Sequence, residues 1–245
     1  MQGSAPARRR RGRTTRLIIG FGALSLLAAT GLFHLARART FQLFGVLITR
    51  VETTQKLVAL TFDDGPNADR VDEVLGLLGT ARATFFVNGV SLDGAPDAAR
   101  QLVAAGHEIG NHTYSHARLV LRSQSSIREE IERTDSLIRA AGYRGEILFR
   151  PPYGWKLAAL PWFLSRTGRV SVTWDVEPDS YPEVRASPQL IAAHVREHVR
   201  PGSIVLLHPW WGYENVRTAI PLIIADLSDA GYRLVTVTEL LDAPV

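Results

Sequence analysis

Residues 57–66 read Leu57-Val58-Ala59-Leu60-Thr61-Phe62-Asp63-Asp64-Gly65-Pro66: a short, mostly apolar run, then two adjacent carboxylates, then a Gly-Pro turn. An apolar run of this length without polar alternation is the pattern of a strand covered on both faces. Similar runs recur along the chain at Ala83–Val87, Glu108–Asn111, Ile147–Phe149, Val170–Trp174, Ser203–Leu207 and Arg233–Val237. Between them lie amphipathic helical patterns around Val71–Leu78, Ala98–Ala105, Ser126–Ala141, Leu157–Arg166, Pro188–Val199 and Asn215–Ala230. Their end signals agree. Ser126 with Glu129 has the spacing of a capping box, Ser187 precedes Pro188 as N-cap and first turn, and Gly106, Gly142 and Gly231 stand where helices stop. Strands alternating with helices imply a parallel sheet, and about seven strands in one domain favour an α/β barrel over the alternative, an open doubly wound sheet.

The unusual polar residues follow the strand ends. Asp63 and Asp64 end the first strand, and His112 and His116 follow the third. Arg150 follows the fourth, Asp175 and Glu177 the fifth, and His208 the sixth. In a parallel barrel the C-terminal strand ends share one face, where active sites are built. His112 and His116, four residues apart, project from one side of a helical turn and can ligate one ion, with Asp64 as a third ligand. An Asp-Asp-Gly-Pro turn accounts for the local bend. It does not account for two crowded carboxylates, whose repulsion a cation relieves. One carboxylate can then hold metal while its neighbour accepts a proton.

Composition narrows the chemistry. The 245 residues suit one large domain, and the absence of cysteine excludes disulfides, thiolate metal sites and a cysteine nucleophile. The net charge of +4 is misleading, because residues 1–50 carry nine Arg and no acid, which leaves 19 basic against 24 acidic groups in residues 51–245. An acidic body repels phosphate backbones, so no nucleic-acid partner is expected. From Leu17 to Ala36 the chain is almost wholly apolar and long enough to span a bilayer. Six Arg precede this run and two follow it, which orients the N-terminus to the cytoplasm. The expected organisation is a basic tail (1–16), a signal anchor (17–36), a connector (37–56) and a catalytic domain (57–245). Phe41–Ile48 in the connector reads as an entry hairpin or cap. Ala36-Arg37-Ala38 also has the form of a signal-peptide cleavage site, in which case the domain is secreted.

With these residues in order, the chain resembles the polysaccharide deacetylase family, the NodB-homology group or carbohydrate esterase family 4. The resemblance covers about residues 51–242. It rests on Thr61-Phe62-Asp63-Asp64-Gly65-Pro66, His112-Thr113-Tyr114-Ser115-His116, Arg150-Pro151-Pro152-Tyr153-Gly154, Trp174–Tyr181 and Leu206-Leu207-His208. It implies an irregular (β/α)7 barrel and a divalent metal, usually zinc, on Asp64, His112 and His116. It implies further that Asp63 is the general base, that Arg150 orients and tunes it, and that Thr113 braces the metal loop. The Tyr153 backbone N–H would help hold the oxyanion, His208 would protonate the departing amine, and Leu206 would line the pocket for the acetyl methyl group.

The fourth motif departs from the family. Glu177, Ser180 and Tyr181 stand where the family has Asp-x-x-Asp-Trp. Glu177 is expected in place of the Asp that orients the catalytic histidine, with Asp179 able to compensate for Ser180 by a one-residue shift. Tyr181 keeps an aromatic face for a sugar. Trp210 and Trp211 follow His208, where stacking on sugar and packing under the loop are both open. Trp155 and Trp162 read as packing residues, and His194 and His198 as solvent-facing helix residues. The expected activity is metal-dependent N-deacetylation of an N-acetylglucosamine polymer outside the cell, with peptidoglycan or a chitin-like glycan as partner and no obligate protein partner. Hydrolysis of another amide or imide, and non-catalytic glycan binding, are the competing readings.

Overall fold

The computed structural model describes residues 8–244. Residues 1–7 of the expected tail and Val245 lie outside them. The chain runs α1 (Arg8–Arg37), β1 (Leu47–Ile48), β2 (Leu57–Gly65), α2 (Val71–Leu78), β3 (Thr84–Val87), α3 (Gly89–Gly94), α4 (Pro96–Ala104) and β4 (Glu108–Asn111). It continues with α5 (Gln124–Ala140), α6 (Ala159–Arg166), β5 (Ser171–Val172), α7 (Pro188–His198), β6 (Ile204–Leu207), α8 (Glu214–Asp229), β7 (Arg233–Val235) and α9 (Val237–Leu241).

β2 is the central stave. It pairs in parallel with β6 along one edge and with β3 along the other, and β4 extends the sheet beyond β3. β7 pairs with the first residues of β2, from Leu57↔Arg233 to Ala59↔Val235. Single parallel bridges, Asn111↔Phe149, Phe149↔Ser171 and Val176↔Val205, carry the sheet around to β6. The result is an irregular α/β barrel whose far side is held by isolated pairs. The Ile147–Phe149 segment contributes through those bridges. The connector strand is not an arm of a hairpin: Leu47–Ile48 pairs in parallel with Ser171–Val172, fixed by bonds from Ser171 N–H to Val46 C=O and Thr173 N–H to Ile48 C=O.

The period of two along β2 sorts its side chains. Val58, Leu60 and Phe62 pack outward with Val74, Leu102 and Ile220 of the helical layer. Leu57 and Ala59 belong to the second cluster with Phe86, Leu148, Trp174 and Leu206. Thr61 and Asp63 continue that second face towards the strand's C-terminal end. The helix stops behave as read, with Gly106, Gly142 and Gly231 at φ 81°, 99° and 79°. The cap of α5 lies three residues earlier than expected: Ser123 Oγ accepts from Ser126 N–H.

Candidate active site

Asp63 and Asp64 reach the site by different routes. The ladder pairs Asp63 with Phe86 and Gly65 with Val87, so Asp64 is an extra residue between them. This bulge, with Asp64 at φ 70°, breaks the alternation that would turn neighbouring side chains to opposite faces. Asp63 is buried beside fully buried Arg150, whose guanidinium donates to Asp63 Oδ1 at 2.7 Å, Thr61 Oγ1 at 2.8 Å and the Thr173 carbonyl at 3.2 Å. Arg150 also lies over the Phe86 ring at 4.0 Å. A buried carboxylate is thus matched by one buried cation.

Asp64, His112 and His116 present one ligand atom each within 4.8 Å of one another. Asp64 Oδ1 stands 3.5 Å from His112 Nε2 and 3.1 Å from His116 Nε2, and this buried oxygen has no hydrogen-bond partner. His112 Nδ1 lies 2.8 Å from the Arg150 carbonyl, which accepts its proton and leaves Nε2 with a lone pair facing Asp64. An unpartnered buried carboxylate oxygen facing two imidazole nitrogens fits a divalent cation with N and O preference. Burial opposes ionisation of Asp64, yet the neighbouring His112, His116 and His208 hold it well below the usual carboxylate range. Burial, reinforced by His112, lowers the His116 pKa, which favours the neutral, ligating form.

The histidine loop is not a helical turn. Thr113 and His116 take left-handed backbone, at φ 68° and 57°, and side chains supply the bonds that helix would have made. Asn111 Oδ1 accepts from Thr113 N–H, and Glu130 accepts from the N–H groups of Tyr114 and Ser115 and from Ser115 Oγ. The two imidazoles still meet, with ring centroids 5.0 Å apart.

Across Asp64 stands His208, its Nε2 4.0 Å from Asp64 Oδ2. Its orienting partner is Asp179, not Glu177. Asp179 Oδ2 lies 3.2 Å from His208 Nδ1 and accepts the His208 backbone N–H at 2.6 Å. Burial alone would lower the His208 pKa, but the bond to Asp179 and the charges of Asp179, Asp63 and Asp64 push it up to about 9. Glu177 turns away. It accepts from Trp174 Nε1 at 2.8 Å, Ser180 Oγ at 2.6 Å and Arg39 at 3.1 Å.

Asp63, Asp64, His112, His116, Glu177 and His208 line one cleft of about 710 Å³, together with Leu206, Tyr153, Tyr181, Trp155, Arg37, Arg39 and Arg118. Leu206 is buried at its floor, and Tyr153 and Tyr181 are exposed on its walls. Tyr153 has φ 59°, and its ring centroid is 4.6 Å from that of His116. Trp210 is not available to a sugar. It is 2% exposed and packs so closely on Gly65 that a Cβ there would meet its indole at 2.2 Å. Trp211 is the exposed member of the pair, its Nε1 donating to the Asp64 carbonyl. Trp162 is half exposed, edge-to-face with Phe44, and does not pack inside. The rings of His194 and His198 stack at 4.1 Å on α7. Sequence reasoning missed Arg37, Arg39, Arg118 and Trp155 as cleft residues. No strand precedes any of them closely enough to signal it.

Comparison with known proteins matches residues 50–172 to the family described as polysaccharide deacetylase. The chain is 33% identical over 201 residues to a peptidoglycan-N-acetylglucosamine deacetylase of Bacillus cereus, covering 80% of this chain and 93% of that protein. It is 34% identical over 193 residues to the peptidoglycan-N-acetylmuramic acid deacetylase PdaC of Bacillus subtilis, covering 78% of this chain and 40% of that longer protein. Among solved structures it is similar to a mutant of BA3943, a CE4 family pseudoenzyme from Bacillus anthracis, with enzymatic activity restored. The TM-score is 0.74 and the identity 29%, over 82% of this chain and 72% of that one.

Proposed function

The chain belongs to the polysaccharide deacetylase family, and from that premise we propose that it is a metal-dependent N-deacetylase acting on the N-acetylglucosamine of peptidoglycan. The observation that carries this reading is a base and an acid flanking one metal-ligand set: Asp63 against Arg150 on one side, His208 against Asp179 on the other. An amide resists hydrolysis because its carbonyl is a poor electrophile and its amine a poor leaving group unless protonated.

Asp64, His112 and His116 would hold the ion, zinc being the first choice for this donor set, and the ion would supply a Lewis acid at the scissile carbonyl. Asp63 takes a proton from the attacking water, and Arg150, paired with that carboxylate, aims it. The Tyr153 N–H donates to the oxyanion, and Leu206 receives the acetyl methyl group. His208, charged through Asp179, gives its proton to the departing amine. No covalent intermediate is required.

Similarity to a pseudoenzyme means that the barrel alone does not license turnover. Here the base, the ligands and the acid are all retained in mutual contact, which favours catalysis over glycan binding alone. The helix α1 supports attachment to a membrane: Ile19–Arg37 is long and apolar enough to cross one, with mean hydropathy 1.7. We place the N-terminus in the cytoplasm and the barrel outside, close to the wall polymer.

Full-length protein in detergent tests the reading. Acetate release from peptidoglycan should vanish on chelation and return with one equivalent of zinc. Release that persists in fully stripped protein would overturn the metal assignment, and none from zinc-loaded protein would overturn the deacetylase.

A further inference from the structure

The cations lining the cleft are unequally matched. Arg39 is paired with Glu177 and His208 with Asp179, while Arg150, fully buried beneath the cleft, is paired with Asp63. Arg37 and Arg118 have no carboxylate within salt-bridge distance among the described residues. Both instead lie against the Trp155 ring, Arg37 at 5.8 Å and Arg118 at 5.1 Å from its centroid, and Arg118 also covers Tyr153 at 4.5 Å. Two guanidinium groups are therefore held no more than about 11 Å apart on one wall, without the anion that would relieve their repulsion. Cation–π contact fixes their position but leaves their charge unmatched.

Their position is built in. Lys156, buried next to Trp155, donates from its backbone N–H to the Ala36 carbonyl at 2.8 Å and from Nζ to the Ala38 carbonyl at 2.5 Å. These bonds dock the last turn of α1 against the cleft, and Phe33 closes edge-to-face on Trp155 at 5.5 Å. Tyr153, which Arg118 covers, in turn meets the His116 ring. Arg118 is thus separated from His116 by one ring, with Arg37 on the far side of Trp155 in the same cleft.

We propose that Arg37 and Arg118 form an anion subsite, so that the substrate is an acidic glycan carrying a carboxylate on the ring beside the N-acetylated sugar. Guanidinium forks suit a two-oxygen anion, whereas a neutral chitin-like chain offers them nothing. The proposal rests on the deacetylase reading and deepens it. An anionic lipid headgroup has the same charge, but the contacts to Tyr153 and from there to His116 favour the glycan.

Binding separates this inference from turnover. Zinc-loaded full-length Asp63→Asn protein in detergent is titrated with an N-acetylated hexosamine tetrasaccharide bearing carboxylates on alternate rings, and with the same oligomer converted to methylamides. Trp fluorescence and calorimetry give the affinities. The carboxylated oligomer should bind about tenfold or more tightly, the preference should disappear in Arg37→Gln/Arg118→Gln, and Arg118→Lys should retain part of it. Equal affinities, or a preference that survives the double substitution, would overturn the subsite. So would a fluorescence change seen only with phosphatidylglycerol vesicles and not with the carboxylated oligomer, which assigns the pair to the bilayer. Acetate release by the parent protein tests the deacetylase reading separately.

Discussion

At the scale of single residues, the contact between Asp179 and His208 carries the clearest consequence. A pKa of about 9 keeps His208 protonated at neutral pH, so the acid role proposed for it is present below that value and fades as pH rises through it. In Asp179→Asn the histidine loses its main charged partner, its pKa falls, and the alkaline limb of kcat moves to lower pH with a loss of about 10²-fold. Glu177→Gln should leave that limb in place, since Glu177 faces Arg39 and Trp174. Full pH–rate profiles of both variants check this; a shift in Glu177→Gln with none in Asp179→Asn would reverse the assignment. The cluster of Asp64, His112 and His116 was legible in the sequence because each follows a strand end, where a barrel gathers polar groups. Which carboxylate faces His208 was not. Glu177, Asp179 and Ser180 lie in and beside the short 3-10 turn Pro178–Ser180, and a single turn has no repeating period from which to read direction.

At the scale of elements, strand identities and most helix limits follow from hydrophobic period and glycine stops, whereas caps depend on a single hydroxyl. Ser126 and Glu129 have capping-box spacing, but the helix begins a turn earlier, because Ser123 Oγ is the acceptor that meets a free N–H. Ser123→Ala should cost about 1 kcal/mol in urea unfolding, with Ser126→Ala near neutral. Equal losses would show that the cap is shared. The bulge at Asp64 was equally hidden, since no residue pattern in 57–66 marks an extra residue. It nonetheless decides the chemistry, for without it the two adjacent carboxylates would point to opposite faces of β2.

For the whole molecule, the barrel was favoured over an open sheet by strand count, but its manner of closure was not readable. Single bridges at Phe149 and Val176 leave too little ladder to imprint a sequence pattern, and Leu47–Ile48 is too short to stand out from the connector. The same connector joins the apolar helix to the barrel: α1 ends at Arg37, on the wall of the cleft lined by Asp64, His112 and His116. Expressed whole, the protein should remain in membranes through a carbonate wash and keep its N-terminal segment by mass spectrometry. A mature start at Arg39 would mean secretion and would remove Arg37 from the cleft.

The most direct test of catalysis compares acetate released from N-acetylglucosamine oligomers and peptidoglycan by full-length protein and by Asp63→Asn, at equal bound zinc. We expect release by the parent protein and a loss of 10²- to 10⁴-fold in the variant, with zinc content unchanged. Equal rates, or no release by the zinc-loaded parent protein, would contradict a deacetylase built on Asp63.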